Sequence, residues 1–273
     1  MHSSHSPFDY RGKTAFIAGG TSGINFGIAQ GFARAGAKLA VLSRSQDKVD
    51  AAVASLKALG AEVVGYAADV RDYEAVETAL KSAAEAFGPI DVLVSGAAGN
   101  FPASALGMSA KGFKTVIDID LLGSFHVLRA GHALLRKPGA AVINISAPQS
   151  YNAMELQMHV CAAKAGVDML TRVAAIEWGV DGVRVNSVVP GPIAHTEGMR
   201  RLAPTVASEE LIRNSVPLRQ LGEVEDIANC CLWLGSPLAR YVSGAVIPVD
   251  GGWSLGGTSI TAGALKQALP GGH

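Results

Sequence analysis

The chain has 273 residues, a length that fits one large α/β domain or two small ones. Hydrophobic residues make up 49% and charged residues 17%, a composition that excludes a disordered chain, and no apolar run approaches the roughly 18 residues of a membrane span. The 23 basic and 23 acidic residues cancel without a Lys/Arg cluster, which argues against nucleic-acid binding through a basic face.

Short β-branched runs alternate with longer helical stretches along the chain, a pattern typical of parallel strands joined by crossover helices. The predicted strands are residues 14–18, 38–42, 62–66, 91–94, 141–145, 183–189 and 245–249. The predicted helices are residues 23–35, 46–59, 73–87, 109–136, 156–178 and 226–234, and residues 195–216 combine a loop with a helix that can act as a lid.

Several strands, such as residues 141–145 (AVINI), are apolar on both faces, as strands covered by helices on both sides are. The chain contains no linker-like stretch and no internal repeat. The sequence therefore predicts a single Rossmann-type, doubly wound α/β domain over residues 1–273. Its core is residues 12–253, and residues 256–273 form a loosely held extension.

A glycine-rich turn joins the first predicted strand to the first helix. Such a turn brings the backbone close to a pyrophosphate, which then meets the positive end of the helix. The turn predicts a dinucleotide site formed by Gly19, Thr21, Ser22, Gly23 and Ile24.

The second strand is followed by Arg44 and by no carboxylate before Asp47. An acidic residue here accepts a hydrogen bond from the 2′-hydroxyl of NAD, whereas an arginine pairs with a 2′-phosphate. Arg44 therefore predicts NADPH as the cofactor, although it can also be a solvated loop residue.

Several linked motifs resemble the short-chain dehydrogenase/reductase family over residues 12–253. They are the glycine turn, Asp69-Val70, Gly96-Ala97-Ala98-Gly99, Lys164 in a long helix and Pro190-Gly191-Pro192. The resemblance implies a seven-stranded parallel sheet with helices on both faces, nicotinamide chemistry and a homotetramer. It also implies that Asp69 and Val70 hold the adenine, that Gly96 and Ala97 line the nicotinamide ribose, and that Pro190, Gly191, Ile193 and Thr196 approach the nicotinamide and pyrophosphate.

Four positions depart from the pattern of that family, one of them Asp120, which stands where the family has asparagine. Val160 replaces the tyrosine that protonates a carbonyl oxygen, and Ala147 replaces the usual serine. Without these groups, ketone–alcohol interconversion loses its general acid and its polarising donor. Asn25 replaces the third glycine of the turn, which leaves open weaker cofactor binding, an altered substrate position or an unproductive site.

The peroxisomal-type 2,4-dienoyl-CoA reductases are a subgroup that this sequence resembles in lacking the tyrosine. The similar stretches include residues 97–101 (AAGNF), 113–116 (FKTV), 118–120 (DID), 196–198 (TEG) and 236–239 (SPLA). The resemblance implies that Asp120 and Lys164 are the catalytic pair and that Lys164 also binds the nicotinamide ribose. It further implies that the acyl-CoA contacts are Arg71, Phe101, Ser109 and Arg201.

The sequence thus predicts an NADPH-dependent oxidoreductase that reduces a conjugated carbon–carbon double bond in an acyl thioester, with 2,4-dienoyl-CoA as substrate in fatty-acid breakdown. Reduction of another conjugated substrate and a non-catalytic NADP-binding scaffold stay open as alternatives. Asp120 can instead be a structural carboxylate, and Tyr151 can be a proton donor. Pairing of His159 with Cys161 as base and nucleophile is set aside, because adjacent helix positions point apart.

The expected location is the cytoplasm. Residues 1–10 lack the pattern of a signal peptide, and residues 270–273 (PGGH) are not a peroxisomal Ser-Lys-Leu signal. Cys161, Cys230 and Cys231 form neither a disulfide framework nor a metal-ligand spacing. We therefore expect a reduced protein without a metal, whose partners are a small acyl-CoA-type substrate and its own copies.

Overall fold

Seven parallel strands form one sheet in the computed structural model, which describes residues 7–203 and 205–258. The strands are β1 Thr14–Ala18, β2 Lys38–Ser43, β3 Val63–Ala67, β4 Val92–Ser95, β5 Ala141–Ile145, β6 Arg184–Pro190 and β7 Val246–Val249. Their order is β3-β2-β1-β4-β5-β6-β7, so the direction of winding reverses between β1 and β4. In sheets of this kind, ligands bind outside the carboxyl ends of the strands at this reversal.

Helices cover both faces of the sheet. They are α1 Gly23–Arg34, α2 Gln46–Ala58, α3 Tyr73–Phe87, α4 Ala110–Val116, α5 Gly123–Gly131, α6 Met158–Trp178, α7 Glu197–Leu202, α8 Val206–Ser215 and α9 Val224–Gly235. One apolar core joins α1 and α9 to the sheet through Phe32 and Ile227. The other joins α3 and α5 to the opposite face through Leu80 and Val127.

The strands are buried as their composition predicts. All five residues of β1 and all five of β5 are buried, because each strand is covered on both faces. The predicted fold class is therefore confirmed, and the observed strand bounds differ from the predicted ones by at most one residue. No helix in residues 7–203 and 205–258 is both long and apolar enough to cross a membrane.

The predicted helical region over residues 109–136 is helical from Ala110 to Leu134, but it is not one regular α-helix. The structure divides it into α4, a π-helical turn at Ile117–Leu122, α5 and a 3₁₀ turn at His132–Leu134. A π turn inserts one extra residue, which rotates the side chains that follow it, and such turns occur frequently at functional sites.

Two smaller expectations also need correction. The helix predicted from Leu156 begins instead at Met158, because Leu156 has a φ of 64°, which a right-handed helix cannot contain. The predicted loop and helix at 195–216 form two helices, α7 and α8. Most of the predicted extension at 256–273 lies outside the described residues.

Candidate active site

The glycine turn lies at the carboxyl end of β1, beside the end of β4. Gly19 has a φ of 81°, and a Cβ placed on it would lie 2.9 Å from the backbone nitrogen of Ala97. Gly23 begins α1 with a φ of 54°, and a Cβ there would meet nothing within 4 Å. The turn is therefore packed tightly against β4 on one side, while the start of the helix remains open to a ligand.

Asn25 lies between the two glycine-containing segments at this edge of the sheet. Its side-chain Nδ2 donates a hydrogen bond of 2.6 Å to the carbonyl oxygen of Gly96. A Cβ on Gly96 would lie 2.6 Å from the same Nδ2, so only glycine at position 96 leaves room for this amide. The Asn25 Oδ1 is buried and has no hydrogen-bond partner among the described residues.

Three charged residues follow β2 and β3. Asp69 accepts hydrogen bonds from Arg71 Nε at 3.0 Å and from Arg71 Nη2 at 2.6 Å. These bonds hold the pKa of Asp69 below its usual range. Arg44 is exposed and also lowers the pKa of Asp69, but it forms no ion pair within residues 7–203 and 205–258. Its guanidinium is therefore free to meet an anion.

Asp120 lies inside the π turn and points to a buried contact with α6. Its Oδ1 accepts a hydrogen bond of 2.7 Å from the backbone nitrogen of Gly99, and its Oδ2 lies 3.4 Å from Lys164 Nζ. Lys164 Nζ also donates a hydrogen bond of 3.0 Å to the carbonyl oxygen of Ile145 at the end of β5. The two predicted catalytic residues are thus brought together from separate elements, 44 positions apart in the sequence.

The ion pair between Asp120 and Lys164 is buried and incompletely hydrogen-bonded. The side chains are 1% and 6% exposed, and Oδ2 has no partner of hydrogen-bond geometry among the described residues. Burial raises the pKa of Asp120 above its ordinary value, against the opposing effects of Lys164, the Gly99 amide and His159. The pair therefore keeps one carboxylate oxygen available to a further donor.

Val160 occupies the position at which the family carries its tyrosine. Its side chain is buried against Val116 and Ala163, in a small apolar cluster that includes Ile117 and Leu121. Position 160 is therefore a packing position and offers no proton.

His159 is a polar residue of this region that sequence reasoning set aside. It is fully buried, and neither ring nitrogen has a hydrogen-bond partner in the described part of the chain. Its ring contacts Phe101 edge to face, with centroids 4.6 Å apart. His159 also opposes the rise in the pKa of Asp120, an effect for which its sequence position gave no signal.

The remaining predicted site residues lie along the same edge of the sheet, in loops and helix starts. Ser109 caps α4 by accepting a hydrogen bond of 3.0 Å from Gly112, and Thr196 caps α7 by accepting one of 3.1 Å from Met199. Gly191 packs against Asp250, where a Cβ would come within 2.6 Å of backbone. The side chain of Arg201 lies outside the described residues.

A cavity of about 870 Å³ opens beside the loop that follows β5. Tyr151, Met154, Val216, Arg219 and Trp253 contribute to its walls. Tyr151 is about half exposed here, and burial of the rest of the ring raises its pKa. The cavity is large enough for a drug-sized organic group.

The sequence and the fold are similar to those of known oxidoreductases. A family model described as enoyl-(acyl carrier protein) reductase matches residues 18–254. The (3E)-enoyl-CoA-producing peroxisomal 2,4-dienoyl-CoA reductase of Rattus norvegicus is 47% identical over 88% of this chain and 83% of that protein. The protein of the same name from Arabidopsis thaliana is 41% identical over 98% of this chain and 93% of that protein. The crystal structure of a putative short-chain alcohol dehydrogenase from Sinorhizobium meliloti superposes with a TM-score of 0.85 at 29% identity, covering 90% of this chain and 98% of that one.

Proposed function

The chain belongs to the short-chain dehydrogenase/reductase family, and from this premise we propose that it is an NADPH-dependent 2,4-dienoyl-CoA reductase of fatty-acid breakdown. Its similarity to reductases of that name over most of their length supports the assignment. The structural observation that carries it is the buried contact of Asp120 with Lys164, beside a position 160 that holds valine. This arrangement suits protonation at carbon, because it provides no phenol for a carbonyl oxygen.

The residues at the β1 and β4 ends fit a nicotinamide dinucleotide. The helix start at Gly23 is open, whereas Gly19 allows the turn to pass close to Ala97. A backbone of this shape suits a pyrophosphate, which the amides at the start of α1 would hold with Thr21, Ser22 and Ile24. When bound, the cofactor supplies a hydride.

Arg44 supports the choice of NADPH over NADH. It is exposed at the end of β2 and unpaired within the described residues, so its guanidinium can form two parallel hydrogen bonds to a 2′-phosphate. Asp69 already accepts from Arg71 on both carboxylate oxygens, and the Val70 carbonyl oxygen lies 2.8 Å from His126 Nδ1. The Val70 backbone N–H and the remaining lone pairs of Asp69 are then the groups that would meet the adenine.

Lys164 would stabilise the negative charge that develops in the reaction, and Asp120 would direct the proton to carbon. Hydride addition at C5 of a 2,4-dienoyl thioester leaves a dienolate, whose negative charge lies largely on the thioester oxygen. Lys164, held by the Ile145 carbonyl, supplies positive potential to this region and binds the nicotinamide ribose. The Oδ2 of Asp120, which is ion-paired with Lys164 but accepts no hydrogen bond from the described residues, orients a water that delivers the proton to carbon, and this completes the net addition of two hydrogens.

The substrate would contact side chains around the buried pair and in the cavity beside the β5 loop. Phe101 is partly exposed beside His159, where it can cover the reacting acyl carbons. The cavity walled by Tyr151 and Trp253 can take the rest of the acyl chain. Arg71 and Arg201 would meet the phosphates of CoA, although Arg71 must share its guanidinium with Asp69.

A homotetramer is supported by an apolar stripe on α6. Met169, Val173 and Ile176 recur at helical spacing and are exposed, and Phe125 on α5 is also exposed. We further infer that the chain acts as a single domain in the cytoplasm, while the relatives named above are peroxisomal proteins.

Nucleotide fluorescence followed by substrate addition tests the proposed function. NADPH is expected to bind at least about tenfold more tightly than NADH, with Arg44→Ala removing the difference, because a 2′-phosphate contact is worth about 1.4 kcal/mol or more. Adding a 2,4-dienoyl-CoA should then oxidise the NADPH. Binding without oxidation would favour a different conjugated substrate, and failure to bind either nucleotide would contradict the enzyme assignment.

A further inference from the structure

We propose that Asn25 is a cofactor-positioning residue that clamps the end of β4 and accepts a hydrogen bond from the nicotinamide half of the bound dinucleotide. The inference rests on the proposed function, since it concerns the same cofactor. It gives a specific role to the residue that departs from the glycine pattern of the turn.

Asn25 and Gly96 form a complementary pair across the β1–β4 boundary. The amide of Asn25 occupies the space above Gly96, where a Cβ would lie 2.5 Å from Asn25 Cγ. The chain thus carries a side chain at position 25 and none at position 96. A larger residue at 96 and asparagine at 25 exclude each other.

The hydrogen bond between these residues fixes the orientation of the amide. The carbonyl oxygen of Gly96 can only accept, so the Asn25 atom that faces it at 2.6 Å must be Nδ2. The Oδ1 is then the other end of the amide, and it lies over the Cα of Gly96, close to where a Cβ would stand. It is buried and lacks a partner among the described residues, and a buried acceptor without a donor is costly.

The chemistry of a dinucleotide limits what can donate to this oxygen. Phosphate oxygens only accept at neutral pH, so the pyrophosphate cannot satisfy Oδ1. The remaining donors are the ribose hydroxyls, the nicotinamide carboxamide and the 6-amino group of adenine. Because Arg44 at the end of β2 receives the adenosine end, a dinucleotide that crosses β1 places its nicotinamide half toward β4 and Asn25.

Asn186 provides a matched control. It is a buried asparagine in β6 whose Nδ2 donates to the carbonyl oxygen of Val242 at 2.9 Å. Its Oδ1 accepts from the backbone nitrogen of Ala245 at 3.0 Å, so its amide is satisfied at both ends. Replacing it with alanine removes a structural amide without touching the cofactor site.

The test compares the affinities of Asn25→Ala, Asn25→Gly and Asn186→Ala for NADPH and for 2′,5′-ADP, which lacks the nicotinamide half. Melting temperatures of the unliganded proteins are measured alongside. We expect all three variants to have lower melting temperatures than the wild type. The position 25 variants should bind NADPH about tenfold more weakly and 2′,5′-ADP as tightly as the wild type, whereas Asn186→Ala should bind both ligands normally.

Two results would overturn the proposal while leaving the proposed function intact. Unchanged NADPH affinity in the position 25 variants would mean that Asn25 only bonds the end of β4 and does not contact the cofactor. Equal weakening of both ligands would indicate collapse of the turn and no contact with the nicotinamide half. A wild-type protein that binds neither ligand would contradict the proposed function itself, and this inference with it.

Discussion

Two aspartates at the same edge of the sheet have cationic partners, yet their pKa values move in opposite directions. Asp69 pairs with Arg71 near the surface, where the side chains are 26% and 43% exposed, and the hydrogen bonds from Arg71 lower its pKa. Asp120 pairs with Lys164 in the interior, and burial raises its pKa despite the ammonium 3.4 Å away.

The difference shows that solvation decides the direction of the pKa shift when the cationic partner does not hydrogen-bond both carboxylate oxygens. Arg71 bonds both oxygens of Asp69, while water remains close enough to solvate the carboxylate. Lys164 Nζ lies 3.4 Å from one oxygen of Asp120, whose side chain is 1% exposed, and the loss of solvation on burial outweighs this attraction. The first pair is a solvated ion pair at the surface. The second is a buried ion pair with a perturbed pKa, which is a feature typical of functional sites.

The largest expected effect comes from breaking the buried pair. Lys164→Met leaves Asp120 without its counter-charge and should lower the free energy of unfolding by about 3–5 kcal/mol. The double variant Asp120→Asn with Lys164→Met removes both charges and should recover most of that loss. Denaturant titration of both variants measures this, and a single variant as stable as the wild type would show that the pair is not effectively buried.

Restoring the family tyrosine should fail. Val160→Tyr forces a larger ring into the cluster of Val116 and Ala163, which should cost about 1–3 kcal/mol of stability without producing ketone reduction. Ala54→Tyr, at an exposed position of α2 away from the apolar stripe on α6, is the control and should be tolerated. Thermal unfolding and a ketone assay together decide the outcome, and a stable, ketone-reducing variant would mean that position 160 still faces the site.

The raised pKa of Asp120 also predicts a pH dependence of stability. Because the folded protein binds the Asp120 proton more tightly than the unfolded chain does, ionisation of this group opposes folding. Relative to Asp120→Asn, the wild type should therefore lose stability as the pH rises from about 4 through the raised pKa of Asp120. Subtracting the two profiles removes the contributions of other groups, and a difference that shifts the opposite way would mean that the pKa of Asp120 is lowered.

The smallest effect is expected at the surface pair. Arg71→Ala removes a partner that water can largely replace, so the free energy of unfolding should change by less than about 1 kcal/mol. The same denaturant titration measures it. A loss comparable to that of Lys164→Met would remove the contrast between the two pairs.

Much of the fold was predictable because strand burial and helix spacing are local signals. The strand and helix runs in residues 14–95 matched the structure to within one residue at either end. The π turn was not predictable, since the apolar spacing around Ile119 fits an ordinary helix equally well. It is nevertheless the element that holds Asp120.

The site residues were predictable from the sequence only where they belong to a recognisable motif. Asp120 and Lys164 were named from resemblance, and the structure brings them together, while their catalytic role stays a prediction. The contact of Asn25 with Gly96 joins residues 71 positions apart, so no local pattern could reveal it. The ring of His159 on α6 contacts Phe101 in the loop after β4, a contact 58 positions apart that no local pattern shows.

The most direct measurement is the rate of NADPH oxidation by a 2,4-dienoyl-CoA in the wild type, Asp120→Asn and Asp118→Asn. Asp118 lies in the same π turn but pairs with Lys114 at the surface, so it controls for local disturbance. We expect Asp120→Asn to lower kcat by about a hundredfold or more and Asp118→Asn to leave it unchanged. Equal rates in the wild type and Asp120→Asn would contradict the assignment of the buried pair as the catalytic centre.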